Sequence, residues 1–382
     1  MARSYLDHAS STPPRPEALT ALTEWLSLPA ADPGRLHYEG RVARDALEQA
    51  RQQVAALIGV TPRQVVFTSG GTEAINAAVW GATRRQPGAP ILAADVEHSA
   101  VRDASDRLAP TEVVPVDSEA HLQVDALARR LADRSAPVPA LVHCQWANHE
   151  VGTLQPVHEV VRLCREAGVL VHVDAAAAAG HVPLDLGALD ADLVSLSAHK
   201  LGGLPGAGAL VIRRGSRFDP LLVGGEQERA RRAGLEGLPA AVAFGAAAAI
   251  LAADDQAVLG HEAAQSARFI AEVIAAATAV DDVTIVGPAD AGGRLPNLIC
   301  LGVHGVEAEP VLIGLDRAGV AVHSGSACSS ESIEPSPVLE AMGVDASHSL
   351  RISVGWNTTS AHIAAFTQAF APVISSLRAL RG

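Results

Sequence analysis

A chain of 382 residues exceeds what one ordinary hydrophobic core organises, so two domains, or a large domain with a smaller appendage, are expected. Its 42 Asp and Glu outnumber 29 Lys and Arg, giving a formal charge of -13 that argues against a nucleic-acid backbone or an anionic membrane as main partner. The four cysteines stand far apart, with no Cys-x-x-Cys pair and no His cluster at ligand spacing; this indicates neither a metal site nor a disulfide framework and fits a reducing cytoplasm.

The opening "MARSYLDHASSTPP" carries charges and turn formers and lacks the apolar core of a signal peptide. "ALEQARQQVAALIG" has helical spacing, and "QVVFT" is a β-branched strand that ends in "SGGTE" before the helix "AINAAVWGATRR". The apolar runs "PILAAD", "EVVPVD", "ALVHCQW", "VLVHVDAA", "ADLVSLS" and "GALVIRR" follow, with helices such as "EVVRLCREAG" between them. Near-continuous apolar strands separated by helices predict an α/β fold with a mostly parallel sheet covered on both faces. Such sheets bind ligands at the carboxyl ends of their strands. The basic clusters "RRGSR" and "ERARR" read as solvated faces or small anion sites, and "PAAVAFGAAAAILAAD" as a helix packed closely on a neighbour. After about Leu251 the pattern becomes that of a smaller α+β unit, from the helix "HEAAQSARFIAEVIAAATAV" to a last helix "AHIAAFTQAFAPVISSLRAL". The expected division is a large domain over 15–251 and a small domain formed by 1–14 and 252–382.

Lys200, in "LVSLSAHKLGG", is the only lysine in the sequence. Arginine replaces lysine as a solvated charge, but not where a deprotonable amine is needed. The strand before it ends at Ser197, with His199 beside the lysine. The preceding strand, "VLVHVD", ends at Asp174, a carboxylate that in a buried position needs a cation or a proton donor, or else caps the alanine run that follows. Gly71 and Thr72 open a helix whose free N–H groups suit a phosphate, although an ordinary capped helix explains the turn equally well. Together these are the parts that pyridoxal 5'-phosphate (PLP) requires: an amine, a carboxylate for the pyridinium and a phosphate cradle.

The segments "YLDHASSTP", "VVFTSGGTEAIN", "VEHSAVRDA", "NHEVGTLQPV", "VHVDAAAAAGH", "SLSAHKLGGLPGAGAL", "GGEQERARRAG", "HSGSACSSESIEPSPVLEAMG" and "SLRISVGW" resemble the cysteine desulfurases of the NifS/IscS type, from Tyr5 to Trp356. The resemblance implies a fold-type I PLP-dependent transferase. Its large domain carries a mostly parallel seven-stranded sheet, and its small α+β domain carries the catalytic cysteine. It implies a homodimer that converts L-cysteine to L-alanine and an enzyme-bound persulfide. By position, Lys200 matches the Schiff-base lysine and Asp174 the pyridinium partner. Gly71, Thr72, Ser197 and His199 match the phosphate site. His98 matches the imidazole stacked on the pyridine ring, a candidate proton shuttle. Asn148 matches an amide near the cofactor's phenolic oxygen and the substrate, Arg351 the arginine that grips the substrate carboxylate, and Cys328 the nucleophile. Cys328 also stands among small residues that suggest an exposed loop, whereas Cys144, Cys164 and Cys300 lie in apolar patterns.

The pattern departs from the family at several places. Ala177 stands where a Gln is usual, Leu235 where a Thr is usual, Glu226 at the third glycine of a GGG motif, His8 for Asn, and Asp32 and Arg35 in the "NPSS" region. The implied partners are L-cysteine and a sulfur-acceptor protein serving iron–sulfur cluster assembly or thiolation, with no direct contact to nucleic acid or membrane. Two other readings compete. One is a selenocysteine or cystine lyase, or an aminotransferase-like relative, which would not need Cys328. The other is a weakly active homologue acting as a sulfur-trafficking scaffold.

Overall fold

Strands that are apolar on both faces suit only the middle of a sheet covered on each side. The computed structural model, which describes residues 3–29, 31–324 and 336–380, arranges them so. After a short β1 (Ser4–Tyr5), the strands are β2 (Val65–Thr68), β3 (Ile91–Ala93), β4 (Thr111–Val113), β5 (Leu141–Gln145), β6 (Leu170–Asp174), β7 (Leu193–Ser197) and β8 (Gly208–Ile212). Among the described residues, β2 to β8 form one seven-stranded sheet in the order β2-β8-β7-β6-β5-β3-β4, and only β8 runs antiparallel to its neighbours. Alternate side chains divide between two cores. Val66, Ile91, Leu141, Leu193 and Leu210 cluster with Ile75, Val79 and Val101 of helices Gly71–Thr83 and Ser99–Leu108. Phe67, Leu92, Val142, Val173 and Val194 cluster on the other face with Leu47, Val54 and Phe244. Each fully buried Val, Leu or Phe contributes roughly 1.5–3 kcal/mol. This is the three-layer α/β arrangement expected of a fold-type I enzyme.

Beyond the sheet, β9 (Val283–Val286), β10 (Leu298–Val303), β11 (Val320–Ala321) and β12 (Ser349–Ser353) follow. β12-β10-β9 make an antiparallel sheet, and β11 pairs with β1. Ile299, Leu301, Leu350 and Ile352 form a separate core with Phe269, Phe366 and Phe370. The helix Leu238–Thr278 reaches from one core to the other. It is interrupted at Ala253–Gln256, where Asp254, Asp255 and Gln256 take left-handed backbone angles. Its alanine-rich half has the length and apolarity of a membrane-crossing helix once joined to the rest, but Phe244, Ala247, Ala248 and Leu251 are fully buried in the core. Gly245 permits the close approach: a Cβ there would lie 2.6 Å from Ala50 Cα of the helix Tyr38–Leu57.

The register fixes where the site can be. Gln145 lies opposite Asp174 and Asp174 opposite Ser195, while Ser197 and Thr68 both face Gly208. The carboxyl ends of β2, β5, β6 and β7 thus meet at one edge. Gly208 lets the turn after β2 lie against β8, since a Cβ there would come within 2.7 Å of Gly70 Cα. Gly208→Ala should cost about 1–3 kcal/mol through overpacking and shift the turn that presents Gly71. A lower thermal midpoint and loss of cofactor on desalting are the expected readouts; no change in either would mean the turn yields freely.

Candidate functional site

A cavity of about 420 Å3 opens at that edge, within the range of small-ligand sites. Gly71, Thr72, His98, Asp174, Ser197, His199, Lys200 and Arg351 all line it. Residues scattered over 280 positions of sequence are brought together because all but Arg351, which lies within β12, terminate or closely follow a strand or start a helix.

One end of the cavity suits a phosphate. Gly71 and Thr72 begin the helix Gly71–Thr83, where N–H groups lack partners within the helix and the dipole is positive. A Cβ on Gly71 would sit 3.4 Å from Ser197 Cβ, so the glycine keeps this end narrow and the main chain close. Ser197 Oγ and His199 Nδ1 share a hydrogen bond of 3.0 Å. Burial, then the charge of Lys200, lowers the His199 pKa to about 4 and leaves it a neutral group.

The turn is braced from behind, and here the basic cluster departs from expectation. Glu73 is gripped by Arg232 at 2.9 Å and accepts the Ser69 N–H at 2.8 Å. Glu228 is only 4% exposed; it takes both guanidinium arms of Arg51 and the N–H of Phe67 in β2. A solvated face or a small anion site was expected for "ERARR". Instead the left-handed backbone at Glu228, Arg229 and Ala230 turns the acid inward, where the buried Arg51 needs a counter-charge.

The middle of the cavity suits a protonated ring nitrogen. Asp174 Oδ1 accepts from Ser195 Oγ at 2.8 Å and from Ala176 N at 3.0 Å. Its Oδ2 has no hydrogen bond among the described residues. A carboxylate oriented on one side and open on the other is what a pyridinium N–H would complete. Lys200 follows β7 in the turn Ala198–Lys200, and its half-buried amine donates to the carbonyl of Ala9. The amine, the open carboxylate oxygen and the phosphate end therefore fit PLP. A buried group not anticipated from the sequence stands behind Asp174. Glu97 is 1% exposed, accepts the Gln145 N–H at 2.7 Å and leaves Oε2 unpartnered. Burial, helped by the nearby Asp174, pushes its pKa up to about 8, so it is largely uncharged at neutral pH.

The far wall is formed by His98, His149 and Arg351. Arg351, in β12, is 3% exposed; Nη1 donates to the His149 carbonyl at 3.0 Å, and Nη2 to Asp7 at 2.9 Å and Ser10 at 2.7 Å. Its Nε is buried without a partner. Asn148 is a correction. It does not line the cavity, because its amide is spent locally: Nδ2 donates to the Val96 carbonyl at 3.0 Å, and Oδ1 accepts the N–H groups of Glu150 and Val151 at 2.8 and 2.9 Å. The next residue, His149, faces the cavity instead. Ala177 lines the cavity, so the missing amide is missing at the site itself. Leu235 is 61% exposed and borders a different depression, with Phe67 and Arg232. Cys328 lies outside the described residues.

Comparison with known proteins agrees with this geometry. The sequence model of the class-V aminotransferase family matches residues 4–366. A cysteine desulfurase of Cereibacter sphaeroides is 39% identical, covering 100% of this chain and 98% of that protein. The cysteine desulfurase NifS of Azotobacter vinelandii is 36% identical, over 99% of this chain and 94% of its own. Among solved structures, a NifS-like protein superposes with a TM-score of 0.88 at 29% identity, covering 98% of this chain and 100% of that one. A structure described as SspA in complex with cysteine gives a TM-score of 0.79 at 26% identity, over 92% and 98% of the two chains. The open carboxylate, the single lysine and these likenesses agree: the chain belongs to the class-V aminotransferase family and, within it, to the cysteine desulfurases of the NifS/IscS type.

Proposed function

We propose that the protein binds PLP and converts L-cysteine to L-alanine, leaving the sulfur as a persulfide on Cys328 for transfer to an acceptor protein. The observation that carries this reading is the sole lysine of the chain placed in one cavity with the open Oδ2 side of Asp174 and the guanidinium of Arg351. PLP, when bound, supplies an electron sink for the pair released at the substrate Cα. Lys200 would hold the cofactor covalently and, once released by substrate, take the Cα proton on its amine. Asp174 keeps the ring nitrogen protonated. The helix start at Gly71 and Thr72, with Ser197 and His199, holds the phosphate without a positive side chain of its own. Arg351 orients the substrate carboxylate, and Cys328 accepts the sulfur. A homodimer in the cytoplasm is part of the same reading. Exposed Leu222, Val223 and Leu235 support the dimer, and the free, buried Cys144, Cys164 and Cys300 support a reducing compartment.

The deciding experiment is to mix the PLP-loaded protein with L-cysteine and follow alanine and protein-bound persulfide. One alanine per sulfur is expected. A protein that holds PLP but releases no alanine would be the scaffold suggested by Ala177, and one that acts only on selenocysteine or cystine would be a lyase.

Arg351 gives a second test. Arg351→Lys keeps the charge and loses the planar fork. Losing one charge-assisted hydrogen bond is worth about 1.5–3 kcal/mol, so KM for cysteine should rise roughly 10- to 100-fold with a smaller change in kcat. An unchanged KM would remove Arg351 from carboxylate binding.

A further inference from the structure

His98 is the N-cap of the helix Ser99–Leu108, and its Nδ1 accepts the backbone N–H of Ala100 at 3.0 Å. A ring nitrogen that accepts an N–H carries no proton, so neutral His98 holds its hydrogen on Nε2. A second proton would have to displace that bond at the positive end of a helix dipole, in a buried position where Lys200 and Arg102 oppose the attraction of Asp174. His98 is therefore built to donate. Removing the proton of a substrate thiol needs an acceptor in the same cavity.

The imidazole in ring contact with His98 is His149, with centroids 5.0 Å apart and planes at 62°. Its side chain is 12% exposed, and neither of its ring nitrogens hydrogen-bonds to a described residue. The residue is held on two sides. Its carbonyl accepts from Arg351, and its Nε2 lies 3.6 Å from Glu150 Oε1, while Glu150 Oε2 accepts the Ser336 hydroxyl at 2.6 Å. His199, another cavity imidazole, already shares its Nδ1 with Ser197. The charged or titratable groups facing His149 are His98 and Arg102 on one helix, Lys200 after β7, Arg351 in β12 and its neighbour Glu150. Burial and these cations hold its pKa well below the usual histidine value, so the ring is neutral; what sets it apart from His98 is that both its nitrogens are free of hydrogen bonds to described residues, and the same cations also favour an anionic sulfur.

We propose that His149 takes the proton of the substrate thiol, with Glu150 positioning the ring and His98 acting only as a donor beside it. This rests on the desulfurase reading above. In the step, the S–H bond breaks, both electrons stay on sulfur, and the proton passes to a ring nitrogen of His149; no oxidant or reductant is involved. The substrate sulfur is then an anion before it is transferred.

The test uses PLP-loaded wild type, His149→Gln and, as a second variant, His149→Asn. With dithiothreitol present to reduce the persulfide, sulfide release from L-cysteine should fall about 100-fold or more near neutral pH, the scale of a lost proton-transfer group. The deficit should shrink above about pH 8.5, where the free thiol ionises unaided. Binding of L-alanine, which has no thiol, should stay within about threefold of wild type by the cofactor's absorbance; that tolerance is well below the tenfold that corresponds to 1.4 kcal/mol. A deficit equal at all pH values, or L-alanine binding lost in proportion, would make His149 structural and overturn the proposal. His323 also lines the cavity, so a pH effect that moves with His323→Gln rather than with His149→Gln would overturn it as well. In 15N-histidine-labelled wild-type holoenzyme, His98 should carry its proton on Nε2; a proton on Nδ1 overturns the argument directly. Wild type that releases no sulfide would sink the desulfurase reading, whereas normal release by both His149 variants would sink this inference alone.

Discussion

Lys200→Arg is expected to give a folded protein with cysteine turnover reduced at least ~1000-fold, since loss of one positioned proton-transfer group alone removes roughly 100- to 10,000-fold. The substitution keeps a cation of similar length that can still reach the Ala9 carbonyl, so the turn after β7 has no reason to collapse. It removes the deprotonable amine, because a guanidinium stays protonated at any useful pH. Both tasks assigned to Lys200, covalent attachment and proton removal, fail together. Borohydride reduction of the wild-type holoenzyme should place the pyridoxyl label on the peptide containing Lys200. The same treatment of Lys200→Arg should label nothing, as the chain has no other lysine. Turnover within tenfold of wild type, or stoichiometric label elsewhere, would end this assignment.

The main sheet was legible because its strands carry their burial in their composition. "LVHCQ", "LVHVD", "LVSLS" and "GALVI" are mostly apolar on both faces, and all their residues but Leu170 are buried. The antiparallel sense of β8 was not legible, since an all-apolar run looks the same in either direction. Site residues that end strands were found for a related reason: a polar residue closing an apolar run, such as Asp174 or Ser197, must emerge at the sheet edge. The turn after β5 offered no such rule. Asn148 and His149 are adjacent and polar, and either could face a ligand. Tertiary detail decides between them, since Asn148 folds back onto the N–H groups of Glu150 and Val151 in an Asx turn. That frees the next side chain to enter the cavity. Glu228 was missed because its burial depends on Arg51, 177 residues away. Glu97 was missed because a Glu before a His in a loop has no pattern that announces a buried, uncharged acid.

Cys328→Ser should retain PLP and still bind L-cysteine, yet lose persulfide and sulfide release by ~1000-fold or more. The cofactor- and substrate-facing groups sit on or after β3, β5, β6 and β7, on the helix after β2 and on β12, so none of them depends on the thiol. What makes the expected loss so complete is the state of the other cysteines. Cys144, Cys164 and Cys300 are each at most 1% exposed. Burial pushes the thiols of Cys164 and Cys300 up to about 12 and that of Cys144 well above its ordinary value. Sulfur capture needs a thiolate, and a thiol of pKa near 12 is ionised in only about one molecule in 100,000 at neutral pH. Cys300 tests this sharply, because it pairs across β10 and β12 with Arg351, a residue of the cavity wall. Proximity does not help a thiol that can neither ionise nor reach solvent. Cyanolysis after a single turnover should therefore find persulfide in wild type and none in Cys328→Ser, while the cofactor spectrum of both responds to cysteine. Persulfide on any buried cysteine of the variant, at the wild-type rate, would show that the nucleophile is not Cys328.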